Sequence, residues 1–141
     1  LLNGFTVNWD GDTSEKGFIF SNGIAVMPVA SSGEGSPSGR KQSDQTRSDP
    51  ITGQEVNVTQ ESRQEGFVNY STTDDHGMHI TGIVKDRNGK KYYRTKNSWG
   101  RERNAFDGHL NMSENYVRAK TMFIMVNKEG IPPSIKAKLG I

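Results

Sequence analysis

Two short stretches decide how this chain is read. They are Asp74-Asp75-His76-Gly77-Met78-His79 and, beginning 20 residues after the first histidine, Lys96-Asn97-Ser98-Trp99-Gly100. Between them, His79–Lys85 and Tyr92–Lys96 have strand composition and flank Asp86-Arg87-Asn88-Gly89. Asn-Gly is favoured in hairpin turns because their central residues need positive φ. The segment is therefore predicted to be a β-hairpin that returns the chain to its starting end, bringing Asn97 towards His76. An amide oxygen there can accept from an imidazole N–H, and an indole two residues on can screen that bond from water. Such a pairing fixes the tautomer and ring plane of a general base. Taken singly, 97–99 is a turn Asn beside a half-buried Trp and each histidine is an ordinary imidazole; the combination carries the chemical reading.

Outward from the hairpin, strand and turn signals dominate. Phe5–Trp9 alternates at period two, and Asp10-Gly11-Asp12 is predicted to turn the chain. Gly17–Phe20 and Ile24–Val29 are predicted strands about Ser21-Asn22-Gly23. Leu1–Gly4 resembles a helix ending, with Gly4 in the left-handed position, so further sequence is expected before it. Thr59 suits an N-cap for a helix reaching Glu65 or Phe67. Leu110–Met112 and Thr121–Val126 read as strands, separated by a short helix over Ser113–Lys120 with Ser113 as N-cap. After Ile131-Pro132-Pro133 comes a last helical turn or two, in which Ile135 and Leu139 share a face and Gly140 stops it. The predicted class is α+β, mainly β: one domain over 1–141, a small barrel or strongly curled antiparallel sheet with short helices.

Composition narrows the functions open to it. Residues of the set AVILMFWYC make up 31%, and the 16 glycines bring the apolar share to about 42%, below the roughly 45–50% of ordinary domains, so the core is thin. No run approaches the ~18–20 apolar residues of a membrane span, and Leu1–Asp10 lacks the pattern of a signal peptide. Eighteen Lys+Arg are scattered among 16 Asp+Glu, which argues against a nucleic-acid partner. The absence of Cys removes disulfides, thiolate metal sites and a cysteine nucleophile from this chain. From Ser31 to Pro50 no side chain is apolar, so a long solvated insertion is expected over 31–56. A metal site would use His76, His79 and neighbouring carboxylates. Two histidines three apart share a face only on a helix, however, and Gly77 with Ile80–Val84 argues for a strand. No metal or cofactor is expected.

The order His, hairpin, Asn-Ser-Trp-Gly resembles the C-terminal half of a papain-like cysteine peptidase. The flanks are similar to its bleomycin hydrolase and aminopeptidase C branch: Arg63-Gln64 with Phe67 ahead of the histidine, His76-Gly77-Met78 for that branch's His-Ala-Met, and Gly108 after Asn-Ser-Trp-Gly. Thr59–Val126 carries the resemblance, and Phe5–Asp12 fits the family strand before it. The resemblance implies that His76 is the base pairing with a catalytic thiol, that Asn97 orients it and that Trp99 shields their bond. It further implies that Asp75 adds negative charge beside the imidazolium and that Asp74 and Gly77 border the pocket for a substrate side chain. His79 is expected to point away. A peptide substrate, trimming from the amino end, a C-terminal arm at Ile131–Ile141 near the cleft, hexameric assembly and a cytoplasmic location follow by the same analogy, with export left open.

The chain departs from the family pattern in three places. His109 stands where the family has an aromatic, so packing at the Trp99 loop is expected to differ. The insertion has no family counterpart. The nucleophile, its helix and the oxyanion-hole Gln belong to an N-terminal lobe that these 141 residues do not contain, so the chain alone is expected to be inactive and to need a Cys-bearing lobe or chain. The alternative from another class is a non-catalytic binding or scaffold domain derived from that lobe, and a third is a metal-dependent hydrolase using His76 and His79.

Overall fold

A computed structural model describes residues 1–29 and 54–141. The polar stretch Ser31–Pro50, and most of the expected 31–56 insertion, falls outside the described residues. Seven strands form one sheet: β1 (Val7–Gly11), β2 (Phe18–Ile19), β3 (Ile24–Ala25), β4 (His76–Lys85), β5 (Lys91–Lys96), β6 (His109–Ser113) and β7 (Thr121–Val126), in the order β2-β3-β6-β5-β4-β1-β7. Neighbours are antiparallel except β3 and β6, which run parallel. Three helices accompany it: α1 (Gln60–Val68), α2 (Glu114–Lys120) and α3 (Pro133–Leu139). None is long and apolar enough to cross a membrane among the described residues. The architecture is mixed α+β and mainly β.

The β4–β5 hairpin closes where Asn88-Gly89 placed it. The Asp86 carboxylate accepts from the backbone N–H groups of Asn88 and Lys90, each at 2.8 Å, and Gly89 takes φ +82°. On one face, period-two alternation sends Met78 and Ile80 of β4, Trp9 of β1, and Leu110 and Met112 of β6 into a cluster with Phe20, Ala25 and Tyr116 of α2. Trp9 and Ala25 lie four places apart in the sheet order yet share this cluster, so the sheet curls around it. Tyr92 points to a second, smaller cluster with Ile24 and Val26.

A bulge in β4 sets the register that matters most. Near the turn the pairs are Lys85↔Lys91 to Gly82↔Arg94; after the irregularity they become Ile80↔Thr95 and His79↔Lys96. Thr81 is the extra residue, and its hydroxyl donates to the Arg94 carbonyl at 3.2 Å. Continuing the turn-side register would set Asn97 opposite His79. With Thr81 out of step, Asn97 falls opposite Met78, on the face that His76 shares.

Several boundaries differ from the sequence reading. The chain does not turn at Asp10-Gly11-Asp12: β1 runs on through Gly11, which pairs with His76. A Cβ at Gly11 would lie 2.1 Å from the Lys120 carbonyl oxygen, so the glycine marks close approach rather than a turn. β4 begins at His76, three residues early, because β1 extends far enough to pair with it. β3 stops at Ala25; beyond it only Pro28 bridges, to Glu55. The helix predictions hold: Thr59 accepts from the Ser62 N–H at 3.2 Å, Ser113 from the Tyr116 N–H at 3.0 Å, and Gly140 ends α3 at φ +70°.

Glu55, at the return end of the insertion, is buried rather than solvated. Its carboxylate accepts from the Met27 N–H at 3.0 Å and the Ser113 hydroxyl at 2.5 Å, and pairs with Lys90 at 3.0 Å. Ser113 thus caps α2 and satisfies Glu55 at once. Ser113→Ala is expected to lower stability by about 1–2 kcal/mol in denaturant unfolding, more than an exposed cap would cost; an unchanged midpoint would contradict the shared role.

Candidate active site

His76 opens β4 and Asn97 follows the last residue of β5. His76 Nε2 lies 2.8 Å from Asn97 Oδ1. The same oxygen accepts from the Ser98 backbone N–H at 2.7 Å, which assigns the amide: a flipped Asn97 would set its NH2 against an N–H that can only donate. Oδ1 accepts only, so Nε2 carries the proton and donates it, and in the neutral ring Nδ1 holds the lone pair. Asn97 is 3% exposed, and its Nδ2 has no partner among the described residues. An orphaned buried donor costs about 1–3 kcal/mol, so the surroundings impose this amide orientation against its own preference.

The Trp99 ring lies 4.9 Å from the imidazole centroid, tilted by 37°. It is 40% exposed, and its inner side meets Phe18 and Phe20 edge-on at 5.8 and 5.1 Å. These two phenylalanines, absent from the sequence-based site, do the packing in question at the His109 departure. His109 lies on β6 opposite Lys96, on the other face of the sheet, with Nδ1 buried and unpartnered among the described residues. A cavity of about 540 Å³ next to it, lined by Tyr92, Arg94 and Phe106, contains none of the residues named for the site.

The remaining residues divide. His79 is exposed on the face of β4 opposite His76 and Met78, as its strand position dictates. No group of three or more His, Asp or Glu suited to a metal occurs among the described residues. Asp75 turns to Thr13, accepting from its N–H and hydroxyl at 2.9 Å each, rather than to the imidazole. Gly77 pairs with Asp10, and a Cβ there would come within 3.2 Å of Asp10 Oδ2. The Asp74 carboxyl, by hydrogen bonding, holds Asp10 above the usual carboxylate range, with burial and the Asp74 charge adding to the rise.

Close to Asp75 lies a residue that no sequence motif singles out. Asp12 is 1% exposed; its Oδ1 accepts from the Ser14 N–H and hydroxyl at 2.8 and 2.7 Å, and its Oδ2 faces the Thr73 N–H and Lys120 Nζ, each at 3.3 Å. Burial pushes this carboxyl up, but the Ser14 bonds and the Lys120 charge outweigh it and hold it below its ordinary value. Tyr116 donates to the Asp12 carbonyl at 2.7 Å, and burial, aided by nearby carboxylates, drives its phenol upward.

With this geometry established, comparison with known proteins decides the family. A model described as the peptidase C1-like family matches residues 49–140, more than half of the chain. The chain belongs to the peptidase C1-like family. The matched region contains His76, Asn97 and Trp99. Among solved structures, PepW from Lactobacillus rhamnosis HN001 matches with a TM-score of 0.58 at 15% identity, covering 96% of this chain and 26% of its own. The bromelain protease from Ananas comosus, solved in complex with the E64 inhibitor, matches with a TM-score of 0.39 at 18% identity, covering 81% of this chain and 34% of its own. The chain therefore spans about a quarter of PepW's length, and the likeness to PepW shows a shared fold. No curated protein matches the chain.

The lowered Asp12 predicts an acid dependence. Its stabilisation is present above the unfolded aspartate value of about 3.9 and is lost as pH falls through its lower folded value. Thermal unfolding followed from pH 6 to pH 2 is expected to show the native chain losing more stability below pH 4 than Asp12→Asn does. Parallel curves would contradict the shift.

Proposed function

We propose that His76 is the general base and Asn97 its orienting partner in a cysteine peptidase whose thiol comes from a Cys-bearing N-terminal lobe or chain outside these 141 residues. The observation that carries this is the 2.8 Å bond from His76 Nε2 to an amide oxygen whose identity Ser98 fixes. With Nε2–H committed to Asn97, Nδ1 is the atom that takes the thiol proton. The resulting thiolate–imidazolium pair is nucleophilic at neutral pH because the cation lowers the thiol pKa. The thiolate adds to the peptide carbonyl, the imidazolium returns its proton to the leaving amine, and the neutral ring then activates water to release the acyl group. Trp99 keeps water from the Nε2–Oδ1 bond. Asp75, tied to Thr13, places a negative charge next to the base, and Asp74 and Gly77 border the pocket for the substrate side chain.

Family resemblance supports the finer reading of an aminopeptidase, hexameric, with the arm at 131–141 near the cleft. Alone the chain is inactive, because an oriented imidazole lacks both nucleophile and oxyanion hole. The absence of Cys from all 141 residues favours a second reading, a binding or scaffold domain derived from the same lobe. Kinetics of the two-lobe enzyme distinguish the two. His76→Ala is expected to lower kcat at least ~10²-fold, with a smaller but substantial loss for Asn97→Ala. Full activity in either variant would remove the assignment.

A further inference from the structure

Lys120, the last residue of α2, is only 4% exposed. Its Nζ meets Asp12 Oδ2 at 3.3 Å, the Ser71 carbonyl at 2.9 Å and Thr72 Oγ1 at 3.3 Å, and it also pairs with Glu15. Replacing a buried ion pair with apolar side chains is often neutral or stabilising, so its presence in a thin core needs a reason other than stability. What it joins supplies one. Residues 71–75 lead directly into His76 and belong to neither helix nor strand. They are fastened to the end of β1 and the turn after it: Ser71 and Thr72 through Lys120, Thr73 through its N–H to Asp12 Oδ2, and Asp75 through Thr13 and the Gly11 carbonyl. Asp12 closes the other side, its N–H donating to the Lys120 carbonyl at 3.0 Å.

His76 is the first residue of β4, where a ladder is held from one side only. Asn97 and Trp99 fix the imidazole from the far side, but the backbone that aims it arrives through this loop. We infer that Lys120 and Asp12 are positioning residues for His76, a buried clamp that sets the approach of residues 71–75 and so the plane in which the imidazole meets Asn97. Its importance for catalysis rests on the peptidase reading above, whereas the clamp itself is a statement about the His76–Asn97 bond. The carboxylates of Asp10, Asp74 and Asp75 lie around the same strand end; Asp75 is itself one of the loop's fastenings, and none of the three bonds to the imidazole among the described residues.

The readout is the His76 Nε2–H proton, followed by nuclear magnetic resonance as it exchanges with water in the full chain. Asp12→Asn/Lys120→Met removes both charges together, so that neither is left buried alone. The expected result is Nε2–H exchange at least about tenfold faster than native, while the Thr95 amide at the centre of the sheet keeps its protection. Unchanged Nε2–H exchange in the folded variant, or a rise matched by an equal loss at Thr95, would overturn the inference. If the double variant does not fold, Thr72→Val, which removes one of the bonds from Lys120 to the loop, decides it. There Nε2–H exchange rises severalfold without change at Thr95 if the loop aims the ring, and stays native if it does not. Because the readout is the hydrogen bond and not turnover, failure of the clamp and failure of the peptidase reading are separate results.

Discussion

Thr81 takes one extra place in β4, and the site depends on it. The side-chain period of a strand is two, so a hairpin register shifted by one residue exchanges its faces. The turn at Asp86–Lys90 alone would set Asn97 against His79, on the exposed side. The bulge returns Asn97 to the face of Met78 and His76 and leaves the hydrophobic alternation intact, with Met78 and Ile80 inward on one side of it and Ile83 paired to Tyr93 on the other. Packing and chemistry thus impose the same register. A slip that separated His76 from Asn97 would also expose Met78 and Ile80.

Around that register the site is fixed from two directions. On one side Ser98 orients the Asn97 amide, and Phe18 and Phe20 pack edge-on against the Trp99 ring. On the other the loop at 71–75 delivers His76 from a polar node of Asp12, Thr13 and Lys120. On the proposed peptidase reading, side chains already held in place need not be ordered at the moment of reaction. The cost falls on polar groups: Asn97 Nδ2 is left without a partner among the described residues, and Lys120 is drawn out of water.

Much of this was legible in the sequence. Asn88-Gly89 fixed the hairpin, Ser113 and Thr59 fixed two helix starts, and the spacing of His76 and Asn97 pointed to their meeting. The bulge was not legible, since Thr81 in a β-branched run looks like any strand residue and its displacement comes from matching two faces at once. Asp10-Gly11-Asp12 misled for a related reason. Those residues are turn formers by local preference, but here Gly11 admits the Lys120 carbonyl and Asp12 binds Lys120 itself, a partner 108 residues away. Glu55 likewise sits at the end of a polar tract and gives no sign of burial until Ser113 and Lys90 are brought to it.

The central claim is that an imidazole oriented by Asn97 serves a thiol supplied from outside these residues. Intact mass spectrometry of the native, unfractionated protein after treatment with a thiol-directed epoxide tests it most directly. The account predicts a single adduct on a Cys-bearing polypeptide that contains or accompanies this chain. A preparation in which such a polypeptide is present and folded but remains unlabelled would contradict it.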